Sequence, residues 1–454
     1  MKSMLTRRDF LRRSALASAS FFGATSLSLP SFAQESTSKR WYKGNLHMHN
    51  QWSDGTPFPE QAINWYKSRG WDFICPSDHN IFQSNNLQFD SHGSHPKLTP
   101  EERKAFEGET ALWKPISCER VPNKLERRFV DAAIEELGAA NVKVKEVNGM
   151  VFVRMTPFDE LAEKFCEPEK FLMIPGYEHS ANCKSGLAVH VNFIGVRQTF
   201  PYNKKIYDPA EQLRETFAKG KELFSSTPYL YTANHPMWRF YDVNPSALMA
   251  NPYIRVFELL NNGVFREYKR RNDLWEPEKF WDVVNAWRAS NDQELLLGMG
   301  SDDRHNYGGD SKGWTMVRSS KLEWNSLLES ILAGDMYASN GLDFEDVSFD
   351  GKTLNVKVDV KEEGAYRIDF IGTRKDYDPT CKIVEVAQSA TTPERKVEAY
   401  SDEIGIVLES VEGTEGSYTL KPDDLYVRAK VYKAGTDASQ KWQTRPAAWT
   451  QPWR

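Results

Sequence analysis

Histidines and carboxylates recur at the ends of short apolar runs in this chain, and that placement constrains the fold more than any other feature. His47 and His49, followed by Ser53-Asp54-Gly55, close the strand-like run Trp41-Tyr42-Lys43-Gly44-Asn45-Leu46. In a strand, residues two apart share a face, so both imidazoles can reach one ion, with Asp54 on the loop beside them. Ser77-Asp78-His79 ends a second apolar run over 71–75. The run 171–177 leads into Glu178, 186–189 into His190, 229–234 into His235-Pro236, and 295–300 into Ser301-Asp302-Asp303-Arg304-His305. A lone histidine such as His190 or His235 is more often structural than a ligand. Here, however, six of the nine histidines fall in these motifs, and only His92, His95 and His179 lie outside them. His179 follows Glu178 directly and is expected on the opposite strand face. His92 and His95 lie in a polar stretch and are expected at the surface.

The motif order, HxH, SDH, GxE, a lone His, HP and DxH, resembles the polymerase and histidinol phosphatase (PHP) family over roughly residues 41–341. Gly313-Trp314-Thr315 and Tyr337-Ala338-Ser339-Asn340-Gly341 are similar to its exported, carbaryl-esterase-like branch. The resemblance implies a trinuclear centre at the mouth of a distorted seven-stranded β/α barrel. One metal would take His47, His49, Glu178 and Asp303; a second would share Glu178 and add His190 and His235; the third would take Asp54, His79 and His305. Asp54 stands where the third metal's first ligand is otherwise a histidine. Two or three divalent ions are expected, and a His/Asp/Glu set suits zinc, manganese and iron alike.

The chain supports that architecture independently. Seven strand-like segments lie near 42–47, 71–76, 171–177, 187–195, 229–234, 254–259 and 295–300. Helical stretches separate several of them, which argues for parallel β/α units. The stretch 59–69 starts with Pro59 and ends at Gly70, as a helix should. Residues 281–287 and 324–332 read as helices too, the second closing at Gly334. In such barrels, chemistry collects at the carboxyl ends of strands, where the ligands fall. An insertion over 81–170, with helical residues 127–137, is expected over the site mouth, because the spacing far exceeds a connection's needs. From 342 to 454 the alternating runs 354–360, 366–371 and 425–432 suggest a small antiparallel β-sandwich that packs against the barrel.

Residues 1–33 carry Thr6-Arg7-Arg8-Asp9-Phe10-Leu11, a mild apolar run and Ser31-Phe32-Ala33, the pattern of a twin-arginine export signal. An ordinary secretory signal is the alternative. The product is expected in the periplasm or outside the cell, with no membrane attachment after cleavage. Export of a folded chain lets it take up metal before it meets competing copper and zinc. Five cysteines give no disulfide framework, although Cys118 and Cys166 are a candidate pair. The signal removes Lys2, Arg7, Arg8, Arg12 and Arg13 against Asp9, a net of four positives, which takes the formal charge from −5 to about −9. That acidity argues against nucleic acid as a partner.

Three functions from different classes follow. The first is a hydrolase of small-molecule phosphoester, ester or carbamate bonds that uses metal-bound hydroxide. The second is a lyase or dehydratase acting on uronic-acid-containing oligosaccharides at the same ions, with Trp52, Trp238 and Trp314 suited to sugar stacking. The third, a catalytically dead binding protein, is disfavoured by the full ligand set. Arg239, Arg304 and Tyr307 are the candidate catalytic groups, the arginines as anion holders. Inside a D-x-H strand end, Arg304 has the counter-reading of pointing away from the metals. Lys184, Glu258 and Asn261 are further pocket candidates.

Overall fold

The run Arg40–Met48 forms the strand around which the rest is arranged. Tyr42 and Leu46 alternate onto a buried apolar cluster with Phe73, Ile174, Val256 and Met299. Gly44 permits a close crossing: a Cβ there would lie 2.0 Å from the Phe73 ring. The strand pairs antiparallel with Trp314–Ser319 and parallel with Phe73–Pro76, which pairs parallel with Leu172–Met173. The computed structural model describes residues 38–84, 99–106, 112–118, 125–264, 276–306, 311–387, 394–434 and 445–454. The expected signal 1–33, His92, His95 and Tyr307 lie outside the described residues. Among the described residues, no helix is long and apolar enough to cross a membrane.

The fold is mixed α/β. The seven segments expected as strands all contain strand, but they divide between two sheets and are not all parallel. Nine strands form one sheet, and the other contains Leu297–Gly300, Val256–Leu260, Leu230–Ala233, Ala188–Ile194 and Gly176–Asn182, in that order. Ala188–Ile194 runs antiparallel to both its neighbours, contrary to the parallel β/α expectation. The reason is local: only residues 183–187 separate it from Gly176–Asn182, and Gly186 takes φ +85° in that turn. A link that short closes a hairpin and cannot carry a crossover helix. The segment 171–177 is itself broken, because Pro175 has no N–H for a ladder. Leu172–Met173 pairs in the first sheet and Gly176–Asn182 in the second.

The two sheets meet at the strand ends that carry the motifs. Asp303 N donates to His47 O at 3.0 Å, and His49 N to Arg304 O at 2.9 Å. On the other side Glu178 N donates to Ser77 O and Asp78 O, each at 3.2 Å, and Asn80 N to Glu178 O at 2.7 Å. Helices Pro59–Lys67, Pro277–Ser290 and Trp324–Leu332 stand where helical stretches are expected.

Within 81–170, strands Leu125–Glu126, Trp113–Ser117, Met150–Arg154 and Val144–Val147 form a four-stranded sheet accompanied by helix Arg127–Leu137. Beyond residue 342 the strands pair antiparallel, as expected, but part of them is continuous with the nine-stranded sheet. Ala447–Thr450 pairs with Met336–Ser339, and Asp424–Lys433, Tyr366–Arg374 and Ile406–Glu412 continue the nine-stranded sheet outward. An unpaired Met336–Ser339 would expose a row of backbone donors and acceptors, and the last strand of the chain covers it. A separate three-stranded sheet, Asp343–Phe349, Thr353–Asp359 and Glu415–Thr419, buries Phe344, Val356 and Val358 against Ile368, Phe370 and Val431. Cys118 and Cys166 are both free thiols.

Candidate metal centre

The seam between the two sheets brings together all nine residues singled out as ligands. Their donor atoms form four overlapping groups: His49, Asp54, His79 and His305; His47, Glu178 and His235; His47, His49 and Asp303; and His79, Glu178 and His190. Glu178 is the hub. Its Oε1 lies 3.3 Å from each of His47 Nε2, His190 Nδ1 and His235 Nε2. Its Oε2 contacts His79 Nδ1 and accepts from Ser180 Oγ at 3.0 Å. Asp303 Oδ1 lies 3.1 Å from His49 Nε2 and 3.4 Å from His47 Nε2.

The grouping differs in part from the three sets implied by the resemblance. The His49 ring lies against His305 and His79, with centroids 4.1 and 4.4 Å away, so His49 joins the Asp54 group as well as the Asp303 group. Asp54 Oδ1 is 3.4 Å from His305 Nε2. The centre is closed on one side and open on the other: the Glu178 side chain is 0% exposed and that of Asp54 56%.

Several partners orient these ligands. His47 Nδ1 donates to Glu258 Oε1 at 2.6 Å, which leaves Nε2 facing the cluster. Glu258 is itself fixed by Ser301 Oγ at 2.6 Å, His235 N at 2.9 Å and Asn261 Nδ2 at 2.8 Å. Asn234 Nδ2 donates to Glu178 Oε1 and to Asn192 Oδ1, both at 2.9 Å. Asp78, between the motif residues Ser77 and His79, is not a ligand. It braces the Asp54 loop, accepting from Asn50 N at 3.0 Å and Ser53 Oγ at 2.6 Å. His235 at φ +26° and Asp303 at φ +43° hold left-handed backbone, costing of order 1–3 kcal/mol each in a place where geometry is worth it.

The electrostatics keep the carboxylates charged. Burial alone would raise Glu178, but His79, His190 and His47 hold it well below the usual carboxylate range. Asp303 is likewise held down, against burial, by His47 and His305. Burial, with His305 and His79 nearby, pushes His49 down to about 3 and keeps it neutral. His305 is raised to about 9, because Asp303 and Asp54 outweigh its burial.

A divalent cation fits this donor set. Among the described residues, the buried atoms His190 Nδ1 and Asp303 Oδ1 have no hydrogen-bond partner. His47 Nε2 and His49 Nε2 face each other at 3.0 Å, an arrangement in which at most one nitrogen can donate, whereas a cation between such lone pairs satisfies both.

The other candidates are placed less uniformly. Arg304 donates to Asn306 O at 2.9 Å, and its guanidinium lies 3.6 Å above the Trp65 ring, away from the ligands. Arg239 donates to Asp242 Oδ2 at 2.8 Å and Gly186 O at 2.9 Å, beside Trp238. Trp238 does border the centre, 5.4 Å from the His190 ring and 5.6 Å from that of His235. Trp52 is buried in the insertion's core, and Trp314 packs on Trp71 and Lys43. The His179 ring packs against Phe200, with centroids 4.6 Å apart. Ser180, Asn192, Asn234 and Ser301 were not anticipated from sequence. Their only signal is position, one or two residues from a ligand or at a facing register.

No protein-family profile matches the chain, and no curated protein does. Among solved structures, a two-domain protein of Bacteroides vulgatus containing a predicted PHP-like metal-dependent phosphoesterase matches with TM-score 0.37 and 15% identity, covering 87% of this chain and 91% of that one. An amidohydrolase of Chromobacterium violaceum with bound sulfate and no metal matches with TM-score 0.26 and 10% identity, covering 59% and 89%.

Proposed function

We propose that this protein is a metal-dependent hydrolase of small-molecule phosphoester, ester or carbamate bonds, of the PHP type and of its exported branch. The observation that carries the proposal is the convergence of nine side chains, from segments spread over more than 250 residues, with the buried atoms His190 Nδ1 and Asp303 Oδ1 facing other members of the set without forming a hydrogen bond. Divalent cations held there supply Lewis acidity, lowering the pKa of a water and neutralising charge on substrate oxygens. The chain's own part is positioning. Glu258 fixes the His47 ring, Asn234 and Ser180 fix the two Glu178 oxygens, and Asp78 fixes the Asp54 loop. Asp54 and His305 border the open side, so substrate reaches the centre past them. Arg239, beside Trp238, is the remaining candidate anion holder, with its guanidinium already engaged by Asp242 and Gly186 O. Zinc, manganese and iron are all compatible with the donors.

The lyase reading on uronic-acid oligosaccharides keeps Trp238 as a stacking surface but loses Trp52 and Trp314, which are packed elsewhere. Location in the periplasm or outside the cell rests on Arg7-Arg8 and the small-residue end at Ala33. Incubating the protein with p-nitrophenyl phosphate, a carboxyl ester and a uronic-acid oligosaccharide discriminates the two chemistries. Nitrophenolate or acid release is expected. An ultraviolet band from a new conjugated double bond, without hydrolysis, would replace this reading with the lyase.

A further inference from the structure

Lys114 belongs to the insertion strand Trp113–Ser117, in which Trp113 packs on Phe106 and Phe152 and the next side chain turns to the opposite face. On that face the Lys114 ammonium is buried and donates to Gln51 O at 2.5 Å, Trp52 O at 3.2 Å and Ser53 O at 3.5 Å. These are the three residues directly before Asp54. Three carbonyls turned inward from an irregular loop need a donor, and a buried ammonium needs acceptors, so each fixes the other. The insertion holds the same loop a second time. Trp52 is buried among Leu112, Val130 and Val153, and its Nε1 donates to Thr156 O at 3.0 Å. Asp54 is the most exposed of the nine ligands, and among the described residues its side chain is oriented by Ser53 Oγ, at 3.3 Å, and the neighbouring imidazoles. The partners of Glu178 and His47, namely Ser180, Asn234 and Glu258, lie outside the insertion and outside the Asp54 loop.

We propose that Lys114 is a positioning residue through which the insertion sets the cation affinity of the His49–Asp54–His79–His305 subsite, leaving the subsites around Glu178 to their own supports. This inference rests on the metal-dependent reading above. Metal-free wild type, Lys114→Met, Lys114→Gln and Asp54→Asn are titrated with Mn(II) by calorimetry, and bound manganese is counted after dialysis. Lys114→Met is expected to bind one cation roughly 10- to 100-fold more weakly and to lose it on dialysis, the size of effect seen when a ligand's support is removed. Asp54→Asn should lose the same cation, and Lys114→Gln, which keeps a donor, should weaken it less. Excess Mn(II) should restore the full count in Lys114→Met. If Lys114→Met does not fold, by far-ultraviolet circular dichroism, the Lys114→Gln result decides. Wild-type affinities in the variant, or equal weakening of every cation, overturn the inference while leaving the hydrolase reading intact. Wild type that binds no Mn(II) overturns both.

Discussion

Glu258 shows how much of this centre depends on groups that never touch an ion. It is buried, receives four hydrogen bonds, and aims His47 at the hub carboxylate. Glu258→Gln is expected to lower metal affinity roughly 10- to 100-fold, read by equilibrium dialysis, with the circular dichroism spectrum unchanged. Wild-type affinity would show that the His47 ring is held by packing alone. The ligands themselves were legible in sequence because their signal is local: an His-x-His pair at a strand end has the right face by geometry alone. Glu258 was legible only as a pocket candidate, since its partner His47 is 211 positions away. Asn234 and Ser180 carry no sequence signal at all beyond their place beside His235 and Glu178.

At the scale of elements, apolar runs revealed where strands lie but not which way they run. The hairpin Gly176–Asn182 and Ala188–Ile194 has the same composition as a parallel pair, and only its five-residue link betrays the direction. The C-terminal strands were similarly readable as strands, while their continuation of the nine-stranded sheet depends on pairing across more than a hundred residues. A buried ion cluster fastens them to helix Pro277–Ser290. Arg428 donates to Asp282 at 2.9 and 2.7 Å, lies 3.1 Å from Glu278, and Lys430 reaches Glu278 at 2.5 Å. Arg428→Ala leaves Asp282 buried without its countercharge, and is expected to destabilise by about 3–5 kcal/mol, measured by urea unfolding. A loss under about 1 kcal/mol, the range of exposed pairs, would contradict that. Burial would raise Glu278, yet Lys430 and Arg428 hold it down at about 2, below its ordinary 4.5. Its folded pKa is depressed, so the stability it contributes is complete above 4.5 and falls away as pH drops toward 2. Urea midpoints at pH 6 and pH 3 should show this loss, and Glu278→Gln should reduce it.

For the whole molecule, the centre doubles as a staple. Its ligands come from both sheets, so cations bound there hold the seam together as well as supplying chemistry. Ligand binding to the folded state alone stabilises it by mass action, about 4 kcal/mol at a thousandfold excess over Kd. Chelation is therefore expected to lower Tm by several degrees in wild type and by much less in a variant lacking His47 and His49. Part of the chain's acidity, about −9 without residues 1–33, would be neutralised by the same ions. The most direct test is elemental analysis of purified wild type beside the His47→Ala/His49→Ala double variant, with turnover measured on the same samples. Two or three divalent cations per wild-type chain, with reduced content and no turnover in a folded variant, is the expected result; equal metal content in the two, or full activity in metal-free wild type, would contradict it.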